Sequence, residues 1–204
     1  TVRKKKRKEL KRQDNRLREL GLVTTRRLET AAELDLWCDT FLVLEQSGWK
    51  GTAGSALGSA AETAGFFQEA MRGAHAAGRL EMLRLDLDGR PIAMLINFLA
   101  PPGAFSFKIA FDEAFARFSP GVLLQVENLA VLDRSDVDWM DSCAAEDHPM
   151  INSLWGERRS IIRVTTPLGG SRGSALFHLC RTVERGAAFA RRVRGRERPT
   201  PAAA

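Results

Sequence analysis

Between residues 80 and 124 the chain spells out three strands and a helix, and little else satisfies the pattern. Leu80–Leu87 alternates apolar and polar residues toward its end. Asp88-Gly89 follows, a pair that accepts the positive φ angles of a two-residue hairpin. Ile92–Leu99 is almost continuously apolar, as a strand buried on both faces must be. Pro101-Pro102-Gly103 turns the chain again, and the next strand alternates. Phe105, Phe107, Ile109 and Phe111 fall on one face, and Ser106, Lys108, Ala110 and Asp112 on the other, which is left free for chemistry. Ser119-Pro120-Gly121 then opens a helix with serine at the N-cap and proline at its first position. Val122, Leu123, Val126, Leu129 and Ala130 supply its buried stripe. The fold class expected is α/β (α+β), with a mixed, mostly antiparallel sheet flanked by helices.

The flanking segments fit this frame. Residues 3–20 read as a helix with a thin stripe of Leu10, Leu17 and Leu20, closed by Gly21, and Val23–Glu29 as a short strand. Thr30 with Glu33 forms a capping box ahead of an amphipathic helix carrying Leu34, Trp37, Cys38, Phe41 and Leu44. Residues 48–58, GWKGTAGSALG, form a glycine-rich loop without the Gly-Lys-Ser/Thr ending of an ATP-binding loop. Ser59 with Glu62 reads as a second capping box, before a helix with Phe66, Phe67, Ala70, Met71 and Ala74. Downstream, Val137–Met140 reads as a strand, Pro149–Trp155 as a short helix and Ser160–Thr166 as a final strand. The order over residues 80–166 is therefore β-β-β-α-β-α-β. A basic amphipathic helix from Ser174 to Val193 follows, with Leu176, Leu179, Cys180 and Val183 in register. The domains expected are a basic connector helix at 1–21, the principal domain at 22–170, the C-terminal helix at 171–195 and a disordered tail at 196–204.

Charge is divided sharply. Residues 1–27 carry +9 and residues 181–198 carry +5, whereas the 153 residues between them carry −8. The basic ends are either solvated helix faces or contacts for an anionic partner. That partner would be a membrane surface for helix 174–193 and tRNA for residues 1–27. No apolar run approaches the roughly 20 residues that span a bilayer, and no apolar stretch follows the basic start. Three scattered cysteines suit reduced thiols in the cytoplasm. The chain opens on Thr1 rather than Met, which suggests a fragment or processed form.

The chemistry-bearing positions cluster around the third strand. A helix opening beside a strand end offers unpaired backbone N–H groups to an anion such as a pyrophosphate, and Gly121 would allow close approach. Asp112, Glu113 and Asp141 lie at or just past strand ends and are candidate bases. Asp112 shares a face with Lys108, either as a base with its charge partner or as a salt bridge; Asp141 either serves chemistry or caps its own turn. Lys108 either binds a phosphate or carboxylate or is a solvated lysine. Trp49 either stacks on substrate or anchors its loop. Cys143 has no histidine fixed beside it, with His148 five residues on, and His75 and His178 read as surface or packing residues. No His/Cys/Asp grouping has metal-ligand spacing.

The segments FLVLEQSGWKGTAGSAL, FSFKIAFDEAFARFSPGVLL and MDSCAAEDHPMINSLWGERRSI resemble the acetyltransferase family associated with cellulose-biosynthesis protein CelD. That family belongs to the GNAT superfamily and is related to FemAB-type peptidyltransferases. The resemblance runs from Arg3 to Arg163. It implies a GNAT fold, with acyl-CoA (acetyl-CoA or another) lying between two splayed central strands, and N-acyl transfer to an amine on a small molecule or a glycan precursor of the envelope or exopolysaccharide. Ser119, Gly121, Val122, Leu123 and Leu124 would hold the donor, and Lys108, Trp49 and Lys50 would contact substrate. A carboxylate among Asp112, Glu113 and Asp141 would take the proton, and no metal is implied. The superfamily's usual Gln/Arg-rich loop is replaced by Arg117-Phe118-Ser119-Pro120-Gly121. Two alternatives stay open: an aminoacyl-tRNA donor, and a non-catalytic scaffold in polysaccharide biosynthesis. A second GNAT-like half upstream is a further expectation, with residues 3–20 as its connector, in a cytoplasmic protein peripheral to the inner membrane surface.

Overall fold

The computed structural model describes residues 4–162, 164–167 and 169–196. Residues up to Arg158 form one compact unit and those from Arg159 onward another. The first unit runs α1 (Lys4–Arg18), β1 (Val23–Arg27), α2 (Ala31–Ser47), α3 (Trp49–Thr52), α4 (Ala61–Ala76), β2 (Leu80–Leu87), β3 (Arg90–Ala100), β4 (Gly103–Phe111), α5 (Pro120–Asn128), β5 (Trp139–Asp141) and α6 (Pro149–Leu154). The five strands lie in one sheet in chain order. Pairing is antiparallel from β1 to β4 and parallel between β4 and β5, with α5 making the crossover that a parallel pair requires. Asp88 and Gly89 both take positive φ, as the two-residue hairpin between β2 and β3 demands.

Two cores sandwich the sheet. On one face α2 contributes Leu34, Trp37, Cys38 and Phe41 at helical spacing, and α4 contributes Phe67 and Met71. These side chains cover Met82, Met94, Ile96 and Ala110 of the strands, and the Phe41 and Phe67 rings stack 5.5 Å apart. On the opposite face Leu17 of α1 and Leu124 of α5 pack on Val23, Leu83, Leu85, Ile92 and Leu95. A smaller cluster of Leu99, Ala104, Val131 and Val137 lies under the start of β4.

The clean alternation of the third strand is interrupted. Asn97 pairs with Ser106 and Ile96 with Lys108, so Phe107 is an extra residue without a partner in β3. This is a β-bulge, which bends its strand and increases local twist. The expected phenylalanine face is therefore split. Ser106 points toward α5, where Gln125 bonds it, while Phe107 packs on Phe98 on the α2 side. Beyond the bulge Lys108 and Ala110 face α2, and Ile109 and Phe111 face α5.

Other expectations shift at their edges. Thr30 is the N-cap of α2, yet its hydroxyl meets the Glu33 carboxylate rather than a backbone amide. Ser59 caps nothing, because residues Leu57–Ser59 wind into a 3-10 turn and α4 starts at Ala61. Phe66, expected in the buried stripe of this helix, is 73% exposed, and Phe67 and Met71 are its buried residues. Part of the glycine-rich loop is helical as α3, and Gly51 is required there: a Cβ would lie 1.8 Å from the Gln46 carbonyl oxygen.

The second unit contains α7 (Ser171–Arg196). No strand forms at residues 160–162 or 164–166, and Ile161, Ile162 and Val164 are exposed. β-patterned residues become a strand only with a ladder to join. Arg163 and the tail after Arg196 lie outside the described residues. Among the described residues no helix is long and apolar enough to cross a membrane.

The tightest approach in the sheet is Gly103, where a Cβ would sit 2.3 Å from the Trp139 ring across the β4–β5 pair. Gly103→Ala is expected to cost about 1–3 kcal/mol by overpacking, read as a lower midpoint of urea unfolding at unchanged slope.

Candidate active site

The site is built on an unpaired strand edge. The Asp112 N–H donates to the Ile92 carbonyl (2.9 Å), so Ala93 and Phe111 face each other as a pair without mutual backbone bonds. Ile109, two residues earlier, has the same orientation. The backbone groups of Ile109 and Phe111 thus point away from β3, to the side on which β5 would continue. But β5 pairs only Trp139–Asp141 with Gly103–Phe105 and stops. From Ser106 onward β4 faces an opening, and the bulge at Phe107 supplies the bend that parts the two strands.

The helix beyond the opening is held differently from the expected N-cap. Ser119 sits in the left-handed region (φ 53°) and its hydroxyl accepts from Gln13 Nε2 of α1 at 3.0 Å. The Val122 and Leu123 amides both bond the Ser119 carbonyl. Gly121 serves packing between helix and strand: a Cβ there would meet Phe111 and Ile109 side chains at 3.3 and 3.4 Å. Leu124 is a core residue with no exposed surface, whereas Leu123 lines a groove of about 340 Å³ between α1 and α5 together with Leu10, Lys11 and Val126. Of the five proposed donor contacts, the structure therefore gives Gly121 and Leu124 packing roles that their residue types alone explain.

On the α2 side of the opening, charges converge on a residue that the sequence reading passed over. Glu45 has a fully buried side chain. Its Oε1 accepts from Lys108 Nζ (2.7 Å) and Lys50 Nζ (3.2 Å), and its Oε2 accepts from the Leu57 amide (2.9 Å). Burial alone would raise the Glu45 pKa, but the Lys108 and Leu57 hydrogen bonds and the two lysine charges outweigh it and hold the carboxyl below its ordinary value. Lys50 also donates to the Ile109 carbonyl at 3.3 Å, so its ammonium reaches the open edge of β4. Trp49 is 62% exposed, with the Lys50 ammonium 6.0 Å from its ring. The loop after α2 is thus clamped to β4 through one carboxylate.

The three expected carboxylates have separate surroundings. Asp112 does not meet Lys108; it lies further along the same side of the strand, at its end, where it pairs with Arg90, accepts from the Ala114 amide and borders α2 at Thr40 and Val43. Glu113 Oε1 accepts from the Trp49 amide at 2.6 Å, and the residue borders a small cavity of about 30 Å³ with Glu45, Trp49, Lys50 and Phe111. Asp141 accepts from the Cys143 amide at 2.8 Å, which closes a turn. Burial, then Asp141, pushes the Cys143 thiol pKa up, and His148 Nδ1 accepts from the Ile151 amide at the start of α6. The two therefore form no nucleophile–base pair. Among the described residues no group of three or more His, Cys, Asp or Glu side chains is placed to hold a metal ion.

Glu45 had a signal in the sequence: it falls on the apolar stripe of its helix, where an acid needs a partner. Because its folded pKa is depressed, its contribution is fully present above the ordinary value of 4.5 and is lost as pH falls through the folded value. Glu45→Gln is expected to cost about 3 kcal/mol at pH 7, at the low end for one half of a buried pair because both lysines keep some solvent. The stability gap between variant and parent should narrow in unfolding measurements below pH 4.5.

The chain's residues 4–148 match the family described as acetyltransferase (GNAT) domain. No curated protein matches the chain. Among solved structures it is similar to an aminoglycoside acetyltransferase from an uncultured soil metagenomic sample in complex with sisomicin, with 11% identity, 72% of this chain and 97% of that one covered, and a TM-score of 0.52. A predicted acetyltransferase with acetyl-CoA from Clostridium acetobutylicum gives 6% identity, 71% and 96% coverage and a TM-score of 0.52. A transcriptional regulator from Bacillus halodurans gives 11%, 72% and 100%, and 0.51. At these identities the likeness is one of fold, and the family match covers most of the chain. With its mostly antiparallel open sheet and the parting of β4 from β5, the chain belongs to the acetyltransferase (GNAT) domain family and is an acetyltransferase.

Proposed function

We propose that the chain transfers an acyl group from acyl-CoA to an amine, and that the donor's pantetheine arm lies along the open edge of β4. The unpaired edge is the observation that carries this. A pantetheine arm holds two amides in an extended chain, and an unsatisfied strand edge recognises such a chain by adding it as a further strand. The 3'-phosphorylated nucleotide end then lies toward the α5 end of the opening, near Ser119 and Val122. The acceptor approaches from the α2 side, where Trp49 and Lys50 are carried on the clamped loop and Lys108 stands behind them. The resemblance to CelD-like proteins makes an amino sugar or another envelope or exopolysaccharide precursor the acceptor class to test first.

Glu113 is the base in this reading. One oxygen is engaged by the Trp49 amide, which fixes the carboxylate at the border of the small cavity, and the other is left to take a proton from the incoming ammonium. The amine nitrogen then attacks the thioester carbon and the C–N bond forms; the C–S bond breaks with its electron pair leaving on sulfur, and the further proton that the nitrogen sheds passes to that sulfur, giving the amide and free CoA thiol.

Calorimetric titration with acetyl-CoA is expected to give saturable one-site binding, and no heat at millimolar ligand would overturn the donor assignment. Glu113→Gln preserves the acceptor for Trp49 N–H and removes the base. It is expected to lower kcat by about 10²–10⁴-fold with acetyl-CoA affinity unchanged, measured by thiol release with amino-sugar acceptors.

A further inference from the structure

Directly beneath the point where β4 and β5 part, on the α5 side, four polar side chains are buried: Asn97, Asn128, Gln125 and Ser106, none more than 5% exposed. Uncharged polar groups are costly there unless bonded. They form one chain of hydrogen bonds. Asn97 Nδ2 donates to Asn128 Oδ1 (2.6 Å), Asn128 Nδ2 to Gln125 Oε1 (3.4 Å), and Gln125 Nε2 to Ser106 Oγ (3.3 Å). Asn128 Nδ2 also lies 3.4 Å from Asn97 Oδ1 and 3.8 Å from Met140 Sδ of β5.

The chain has a direction, and Glu81 sets it. Glu81 Oε2 accepts from Asn97 Nδ2 at 2.9 Å, and its other oxygen is taken by Arg27. A carboxylate so engaged only accepts, so Asn97 must turn its amide nitrogen toward it. Each amide in turn then accepts through oxygen and donates through nitrogen. The sequence ends with an N–H directed at Ser106 Oγ. Ser106 is an acceptor within the protein, and among the described residues no acceptor lies within hydrogen-bond reach of its own hydroxyl proton. Phe105 is the last residue of β4 paired with β5, so Ser106 stands at the apex of the opening. A buried hydroxyl proton without an acceptor carries a desolvation cost that a ligand oxygen would relieve.

We propose that the Ser106 hydroxyl donates to the carbonyl oxygen of the acyl thioester, and that Gln125, Asn128 and Asn97 are positioning residues that keep the hydroxyl pointing outward. This rests on the acyl-CoA reading above. During transfer the carbonyl oxygen gains charge as the amine adds and loses it as sulfur departs, and Ser106 keeps its proton throughout. A donor fixed before the reaction stabilises that charge without reorganising.

The test needs no acceptor. Acetyl-CoA and free CoA are titrated calorimetrically into the full chain and into Ser106→Ala, Ser106→Thr and Gln125→Glu. Ser106→Ala is expected to weaken acetyl-CoA about tenfold, the worth of one hydrogen bond, and to leave CoA unchanged. Ser106→Thr is expected to restore the preference. Gln125→Glu replaces the terminal donor by an acceptor that captures the Ser106 proton, so it too is expected to lose the preference with Ser106 intact. Equal weakening of both ligands, or no change in either, overturns the proposal. If the unaltered chain binds neither ligand, the acyl-CoA reading itself fails. If Ser106→Ala does not fold, as read by thermal unfolding, the Thr and Glu variants decide the question through the same two ligands.

Discussion

β4 is paired with β3 at every residue but Phe107 and with β5 for three residues only, and the remainder of the site depends on this asymmetry. A strand edge inside a sheet is normally satisfied by the next strand. Here that role falls partly to Lys50, which reaches the Ile109 carbonyl from the loop after α2. The two sides of the opening are then furnished by different layers. The α2 layer brings charge, through Glu45 and its two lysines. The α5 layer brings an uncharged hydrogen-bond chain ending at Ser106. A transferase that joins two reactants needs such a division, because donor and acceptor must meet at one carbon while being held by separate surfaces.

Glu45 shows how one buried carboxylate organises several elements. Its partners come from β4, from the start of α3 and from the 3-10 turn before α4. Such a group is costly to bury and more costly to leave unpaired, so its partners are held as firmly as it is. The glycine-rich loop is therefore less free than its composition suggests. Gly51 is glycine because the Gln46 carbonyl lies against it, not because the segment must move.

The antiparallel strands, the hairpin and the stripe of α2 were legible in the sequence because they rest on local periodicity and turn chemistry. Leu34, Trp37, Cys38 and Phe41 packed as their spacing required, and Asp88-Gly89 took the conformation its residue types favour. The opening was legible only through family resemblance. Its cause is a single unpaired residue, Phe107, whose apolar character hides it inside a regular alternation. Periodicity does not reveal which phenylalanine is extra. Asp112 and Lys108 share a side of β4, but distance along the strand and nearer partners separate them: Lys108 meets Glu45 and Asp112 meets Arg90. Glu45 left a trace, as an acid on an apolar stripe, but Gln125 and Asn128 left none: apolar spacing turned Val122, Val126 and Leu129 inward, whereas Gly121, Leu124, Gln125 and Asn128 are among the residues α5 buries. The strand expected at 160–166 failed for the opposite reason: its residues suit a strand, but residue type supplies no neighbouring ladder.

The bulge carries a further implication for how chains of this kind vary. Ser106 and Lys108 already face opposite sides, so a version of β4 lacking Phe107 would keep every neighbour on its present face and gain an uninterrupted ladder with β3. By the ordinary rules of sheet formation that shorter version is the better-behaved protein. The extra residue costs sheet regularity and supplies the bend beside Ser106, so the cleft and the flaw in the ladder are one feature.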